Sequence, residues 1–316
     1  MGFPYHVVSV DIGGTKIAYA LLTYTAPSEY PTLSCKGEVP TNAQAGGNAV
    51  RETIGKVVQD VMATADVTID GVGIGSAGVV DSATGDIVSA NDIMPGWGGQ
   101  KLGAYIHEVT GLPVTVMGDV HAHALGEARW GAGKGQSSCL VAGIGTGLGG
   151  AFVDQGVVAA GAHGVAGHIG HIMHPEAVGI TCACGRDGHL ESIASGSGII
   201  AGYKKLCPER CGEGVDGRVI SERAHAGEYE ACEVIERAGR SLGESLGSLA
   251  NTLDPAVIIL SGSVVKAGPL WEKALHAGYE SQALDPVLDC PIVEGSLGSE
   301  APLVGAAENL LDKITH

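Results

Sequence analysis

The chain has 316 residues, of which 51 are Gly, with aromatics at 4% and the apolar set at 45%. So much Gly fits neither collagen nor a flexible linker, because there is no Gly-X-Y period, Pro numbers only 13, and apolar runs persist to the C-terminus. Lys plus Arg is 18 against 35 Asp plus Glu, and this formal charge of −17 disfavours nucleic acid and anionic membrane as partners.

No run approaches the roughly 18 apolar residues of a membrane span. The N-terminus, Met1-Gly2-Phe3-Pro4-Tyr5, lacks a basic region followed by a long apolar stretch. A soluble, cytoplasmic protein is therefore expected. Without a secretion signal, the eight cysteines read as free thiols or metal ligands rather than disulfides. At this length two α/β lobes are expected, each of roughly 120 to 190 residues.

In chain order, residues 5–12 and 17–24 are apolar runs joined at Gly13-Gly14-Thr15, which predicts a hairpin. Residues 47–63 carry Val50, Ile54, Val57, Val58 and Val61 at helical spacing. A strand near 71–75, a helix near 101–109 and a strand at 114–117 follow, and this alternation predicts an α/β lobe. A helix over 119–130 and a strand at 139–144 come next. Then Gly145-Thr146-Gly147-Leu148-Gly149-Gly150 leads into another strand-like run at 151–158. Strand, Gly/Thr turn, strand thus occurs twice, at 7–22 and 139–154, which suggests two lobes on one plan. Residues 228–252 keep a 3.6-residue apolar stripe, with Gly239, Gly243 and Gly247 recurring every four residues, so another helix is expected to pack closely there. A strand at 257–260, the turn Ser261-Gly262-Ser263 and a helix near 303–314 complete the chain.

The glycine clusters suggest chemistry. In Asp11-Ile12-Gly13-Gly14-Thr15-Lys16 the Gly pair lets backbone N–H groups face an anion, Thr15 adds a donor, and Asp11 can hold hydrated Mg²⁺. An ordinary Gly-Gly hairpin is the alternative. Residues 145–150 also fit G-x-G-x-x-G, but a strand rather than a helix follows, and no acid lies at the required distance. Gly131-Ala132-Gly133-Lys134-Gly135 imitates a P-loop but has Gly where Ser or Thr must hold Mg²⁺. Asp119 opens its helix directly after a strand, which suits a helix cap or a catalytic base. His171, Cys182, Cys184 and His189 follow His-x10-Cys-x-Cys-x4-His. Two thiolates and two imidazoles suit a closed, structural Zn²⁺ site, with unrelated thiols and imidazoles as the alternative. The Cys207–Cys211 stretch reads as a surface loop.

Asp11–Lys16, Gly145–Gly150, the stretch Gly161-Ala162-His163-Gly164-Val165-Ala166-Gly167-His168-Ile169-Gly170-His171 and Cys182-Ala183-Cys184-Gly185-Arg186 together resemble the ROK family of sugar kinases and sugar-responsive repressors. The match runs over essentially the whole chain, in the family's order. The resemblance implies the actin-like ATPase (ribonuclease H-like) fold, with residues 1–118 as a smaller lobe, 119–300 as a larger lobe carrying a zinc loop, and 301–316 packing back on the first. It implies ATP and Mg²⁺ in the cleft, held by Asp11, Gly13, Gly14, Thr15, Lys16, Gly145, Thr146, Gly147 and Gly262. Asp119 matches the family's catalytic base. Gly78, Asn91 (or its neighbour Asp92), Asp119, His168, His171 and Glu191 would contact the sugar. His171, Cys182, Cys184 and His189 would bind zinc, with His189 where the family usually has Cys.

One departure stands out, because Gly118 occupies the place of a sugar-binding Asn, so that contact is lost or is supplied from elsewhere. At position 168 gluco-specific members usually have Glu. His168 is similar to bacterial N-acetylmannosamine kinases of the family. The expected activity is ATP-dependent phosphorylation of the 6-hydroxyl of a hexose or N-acetylhexosamine, N-acetylmannosamine being favoured and glucose the alternative. A sugar-responsive regulator is the second alternative, although the family's regulators carry an added N-terminal DNA-binding domain and the first strand here begins near Tyr5. The resemblance also implies a homodimer.

Overall fold

The computed structural model describes residues 2–212 and 214–315. Near-continuous apolar runs build the first sheet, because its central strands are covered on both faces. The strands β1 (Tyr5–Ile12) and β2 (Lys16–Tyr24) form the expected hairpin, in register from Tyr5 opposite Tyr24 to Ile12 opposite Ile17. An edge strand, β3 (Thr32–Pro40), follows it, and its exposed, polar Ser34-Cys35-Lys36 centre hid it from a reading of apolar runs. Next come α1 (Gly47–Thr64), β4 (Gly71–Ser76), a small hairpin of β5 (Val79–Asp81) and β6 (Asp86–Ser89), α2 (Leu102–Thr110), β7 (Val114–Gly118) and α3 (Asp119–Trp130). The sheet order is β3-β2-β1-β4-β7, with β1, β4 and β7 parallel.

Each face of this sheet has its own core. Val8, Val10 and Ile12 join Val50, Ile54 and Val58 of α1 and Ile106 of α2. Val7 and Leu22 point the other way, onto Leu303, Val304 and Leu310 of the last helix. That second face can take a helix closely because β4 alternates Gly71, Gly73 and Gly75 there. A Cβ on Gly73 would strike the Ala306 backbone, and one on Gly71 the Leu310 side chain.

The second sheet is built from β8 (Ser138–Ile144), β9 (Leu148–Asp154), β10 (Val157–Val158), β11 (Val257–Ser261) and β12 (Ile292–Glu294). Its order is β10-β9-β8-β11-β12. Strand for strand this repeats the first sheet: an antiparallel edge pair, a Gly-turn hairpin, then two parallel strands. The echo between the two Gly/Thr hairpins therefore extends over five strands in each half. Between β10 and β11 lie α4 (Glu191–Ala194), α5 (Gly196–Leu206), α6 (Gly217–His225) and α7 (Tyr229–Leu253). A further helix, α8 (Pro269–Gln282), precedes β12, and α9 (Ala301–Thr315) ends the chain. Gly239, Gly243 and Gly247 of α7 lie against the backbone carbonyls of Trp271, Leu275 and Tyr279 in α8. The stripe of glycines serves the close packing expected of it. In the Cys207–Cys211 stretch, residues 208–210 are exposed but Cys207 is buried.

The chain folds into two compact units. One comprises residues up to Ser137, Ala151–Ala166 and everything from Ser296 onward; the other comprises Ser138–Gly150 and Gly167–Gly295. Helix α3 thus groups with the first unit, where it packs on α9. Gly126 of α3 meets the Ala301 carbonyl, and Gly305 of α9 meets the Ala122 carbonyl. Glu127 reinforces the crossing: fully buried, it accepts N–H groups from Ala132, Ser296 and Leu297 at 3.0, 3.0 and 2.8 Å. Arg129 also donates to Glu308 and Asp312, both at 2.9 Å.

Because Gly305 has no room for a methyl group, Gly305→Ala should destabilise the protein by about 1–3 kcal/mol in urea denaturation. Gly217→Ala, where a Cβ meets nothing within 4 Å, should leave the midpoint nearly unchanged.

Candidate active site

The parallel strands of the first unit end together, with two acidic residues at their carboxyl ends. Asp11 of β1 pairs with Gly75 of β4, and Gly75 pairs with Met117 of β7. Asp119 stands two residues beyond Met117, in the first turn of α3. From the position a Cβ would take on Gly75, Asp11 Oδ1 is 3.6 Å away and the Asp119 Cα 3.7 Å. The two acidic residues thus flank a strand with no side chain between them. Burial first, and then the Asp119 carboxylate, push Asp11 up to about 7, against the opposing pull of Lys16. Asp119 Oδ1 accepts the Val120 N–H at 2.8 Å, and its place at a helix N-terminus favours negative charge. Two neighbouring carboxyls in different environments are a usual basis for assigning acid and base roles.

Beside Asp11 the β1–β2 turn is closed by Gly13 N donating to the Lys16 carbonyl at 3.0 Å. Thr41 braces it from β3's end, its hydroxyl donating to the Gly13 carbonyl at 2.6 Å and its N–H to that of Thr15 at 3.0 Å. Gly14 lies under the Ile93 side chain, and Thr15 is exposed. Lys16 turns to Glu38 at 2.7 Å, an exposed pair that contributes little to stability. Gly78 has φ 95° and presses on the Ser89 carbonyl, while Asn91 is exposed and accepts the Ile93 N–H at 3.2 Å.

In the second unit the β8–β9 turn is docked on the start of α5. Gly145 N donates to the Gly147 carbonyl at 2.9 Å, Gly196 N to that of Gly145 at 2.8 Å, and Ser197 N to that of Thr146 at 3.2 Å. Gly262 has φ 102° and lies against the Ile144 backbone, a close approach that also needs its missing Cβ. A cavity of about 740 Å³ opens beside this turn, with Thr146, Ser197, Asp216, His225, Ser263 and Lys266 on its walls. Those residues come from four separate segments, so sequence spacing could not assemble them. The Ser195-Gly196-Ser197-Gly198 run was the available signal, since Ser195 caps α5 by accepting the Gly198 N–H.

The metal candidates are gathered. One ligand atom from each of His171, Cys182, Cys184 and His189 lies within 4.8 Å of the others. The two Nδ1 atoms are 3.3 Å apart, Cys184 Sγ is 3.2 Å from His189 Nδ1, and Cys182 Sγ is 3.7 Å from His171 Nδ1. Ligands about 2.0–2.3 Å from a tetrahedral Zn²⁺ stand roughly 3.3–3.8 Å from one another, so the donor set fits the ion. Burial raises the Cys182 thiol above its ordinary range, a cost that a bound cation would offset. Glu191 links this cluster to the phosphate-type turn, since Oε2 accepts the Leu148 N–H at 3.0 Å and Oε1 lies 3.5 Å from Cys182 Sγ. The His168 and His171 rings stack at 21° with centroids 6.1 Å apart.

The ROK family profile matches residues 7–313. The chain is 33% identical to a glucokinase of Halalkalibacterium halodurans over 326 residues, covering 97% of each protein. It is 31% identical to an N-acetylmannosamine kinase of Shigella flexneri, with 82% of this chain and 83% of that one covered. Among solved structures, a ROK hexokinase from Thermus thermophilus is 31% identical with a TM-score of 0.84, covering 98% of this chain and 99% of that one. A ROK glucokinase from Streptomyces griseus, solved with glucose and AMPPNP, is 29% identical with a TM-score of 0.79 over 96% of this chain and 98% of that one. Twin five-stranded sheets, each with a Gly-turn hairpin, are the actin-like ATPase fold, and with these relatives they define an ATP-dependent sugar kinase. The chain belongs to the ROK family. No helix among the described residues is long and apolar enough to cross a membrane.

Metal analysis of the purified protein should give about one Zn²⁺ per chain. His189→Ala or prolonged chelation should lower that content and the melting temperature together. A content well below one in the native protein would contradict the four-ligand assignment.

Proposed function

We propose that the protein transfers the γ-phosphoryl group of ATP to the 6-hydroxyl of a hexose or N-acetylhexosamine, with N-acetylmannosamine favoured. The observation carrying this reading is the pair of carboxyls at the ends of β1 and β7, one of them in the first turn of a helix. Asp119 takes the proton from the 6-hydroxyl as its oxygen attacks the γ-phosphorus. The bond from that phosphorus to the bridging oxygen breaks, and ADP leaves with the bond's electrons. Asp11 suits a hydrated Mg²⁺, which when bound would neutralise charge on the phosphates. A cation there would also relieve the repulsion that holds the Asp11 carboxyl up at about 7.

The remaining roles follow from donor chemistry. Gly13, Gly14 and Thr15 in one turn, with Gly145, Thr146 and Gly147 in the other, would offer backbone and hydroxyl donors to phosphate oxygens. The 740 Å³ cavity suits the base and ribose of a nucleotide, with Gly262 leading into one of its walls. Lys16, already paired with Glu38, would act on phosphate only by leaving that partner. Gly78 and Asn91 complete the sugar contacts of the first unit.

His171 directs Nδ1 into the metal cluster, so a zinc bound there would leave Nε2–H as a donor for a sugar hydroxyl. Glu191 would accept from another hydroxyl. His168 supports N-acetylmannosamine, because an imidazole both donates and accepts where the gluco-specific pattern has a carboxylate that only accepts. Glucose is the second reading, supported by glucokinase relatives matched over 97% of this chain. A homodimer and a cytoplasmic location belong to the same reading on the strength of the family resemblance.

A coupled ADP-release assay over glucose, mannose, N-acetylglucosamine and N-acetylmannosamine should give turnover, with the highest kcat/KM on N-acetylmannosamine. No turnover on any of the four would overturn the reading, and a clear preference for glucose would overturn the sugar assignment. Asp119→Asn should lower kcat by about 10²–10⁴-fold without changing the melting temperature. A fully active variant would remove Asp119 from the role of base.

A further inference from the structure

Gly118 raises a question that the fold itself answers: what stands in the space that a side chain at this position would use? Gly118 precedes α3 and offers no side-chain cap to it. A Cβ built there would lie 3.4 Å from His121 Nδ1 and 3.7 Å from its Cγ. The imidazole of His121 is folded back over residue 118. It is also nearly buried, at 6% exposure.

The other side of the ring is tied to the chain ahead of His168. His121 Nε2 lies 2.8 Å from the Ala166 carbonyl oxygen. A carbonyl only accepts, so Nε2 carries the proton, and in the neutral ring Nδ1, on the Gly118 side, is the unprotonated nitrogen. Ala166 lies in a stretch rich in special backbone: Gly161 and Gly164 have φ 77° and 71°, and Ala166 N donates to the Ala160 carbonyl at 3.2 Å. A cavity of about 170 Å³ runs beside Gly118 and His121, bounded also by Val80, Leu125, Ala160 and Gly164. With open space there, packing on that side leaves the stretch room to shift, and the hydrogen bond from His121 ties it beside the Ala166–Ala160 backbone bond.

We propose that His121 is a positioning residue for sugar binding, in which its Nε2–H holds the Ala166 carbonyl and so sets the path of the chain two residues before His168. The role rests on the sugar-kinase reading above. It is open to His121 because Gly118 carries no side chain to contest the space its ring occupies. His121 does not touch the reacting atoms; it acts through the loop. Gln is the informative replacement, since its Nε2 amide can reach the same carbonyl as a donor, whereas Ala removes the tie.

The test compares wild-type protein with His121→Ala and His121→Gln by steady-state kinetics and by hydrogen exchange of the peptide spanning residues 159–168. His121→Ala should raise the sugar KM about tenfold or more while the ATP KM stays within about twofold and kcat within about threefold. Exchange in the peptide should quicken. His121→Gln should restore both towards wild type. A sugar KM unchanged in His121→Ala, a parallel rise in both KM values, or equal impairment by Gln and Ala would each overturn the proposal. Wild-type protein that phosphorylates none of the four sugars would instead overturn the sugar-kinase reading. The exchange arm then decides the tie by itself: faster exchange with Ala and recovery with Gln upholds it, and unchanged exchange overturns it.

Discussion

Two carboxyls at the ends of parallel strands on either side of β4 are the constraint around which the first unit is organised. Half-buried Asp11 lies close to Asp119, and its burial and that neighbour keep the Asp11 carboxyl up at about 7. Burial of a group that resists ionising is unfavourable unless function needs it or a cation completes it. Everything nearby preserves the arrangement. Gly75 leaves the strand between them bare, α3 begins at Asp119, and α3 is locked to α9 by paired glycines and by Glu127.

The glycine content also acquires structural meanings of different kinds. At Gly73, Gly126, Gly243 and Gly305 a methyl group would run into backbone, so these residues set the spacing of helices against strands and against each other. At Gly262 the backbone is left-handed, and a side chain would meet strand β8 besides. At Gly13 and Gly145 a Cβ would meet little, so these residues leave their turns open. A composition that at first excluded only fibres and linkers thus traces the packing of two similar sheets and their open turns.

Much of this was legible in the residues. Apolar runs on either side of Gly-Gly and Gly-Thr turns revealed both hairpins, and the long stripe of α7 revealed its helix and its close neighbour. The His-x10-Cys-x-Cys-x4-His spacing brought four ligand atoms together. Strand β3 escaped notice because an exposed edge strand carries polar residues and no alternation. The α8 helix and the large nucleotide-sized cavity escaped because no local motif marks them; the cavity's walls come from distant segments. The links made by Glu191 and His121 were beyond reach for the same reason. Each depends on a side chain meeting backbone 43 or 45 residues away. Nor could the raised Asp11 be read from a motif, since it follows from burial and from a neighbour on another strand.

The carboxylate pair can be observed directly by carbon NMR of carboxyl-labelled protein without Mg²⁺, following Asp11 through a pH titration. The account predicts a midpoint near 7, as the structure's burial and the nearby Asp119 require, and a lower midpoint in Asp119→Asn, where the second charge is gone. A wild-type midpoint at the ordinary carboxyl value of about 4, or one that Asp119→Asn leaves unmoved, would contradict it.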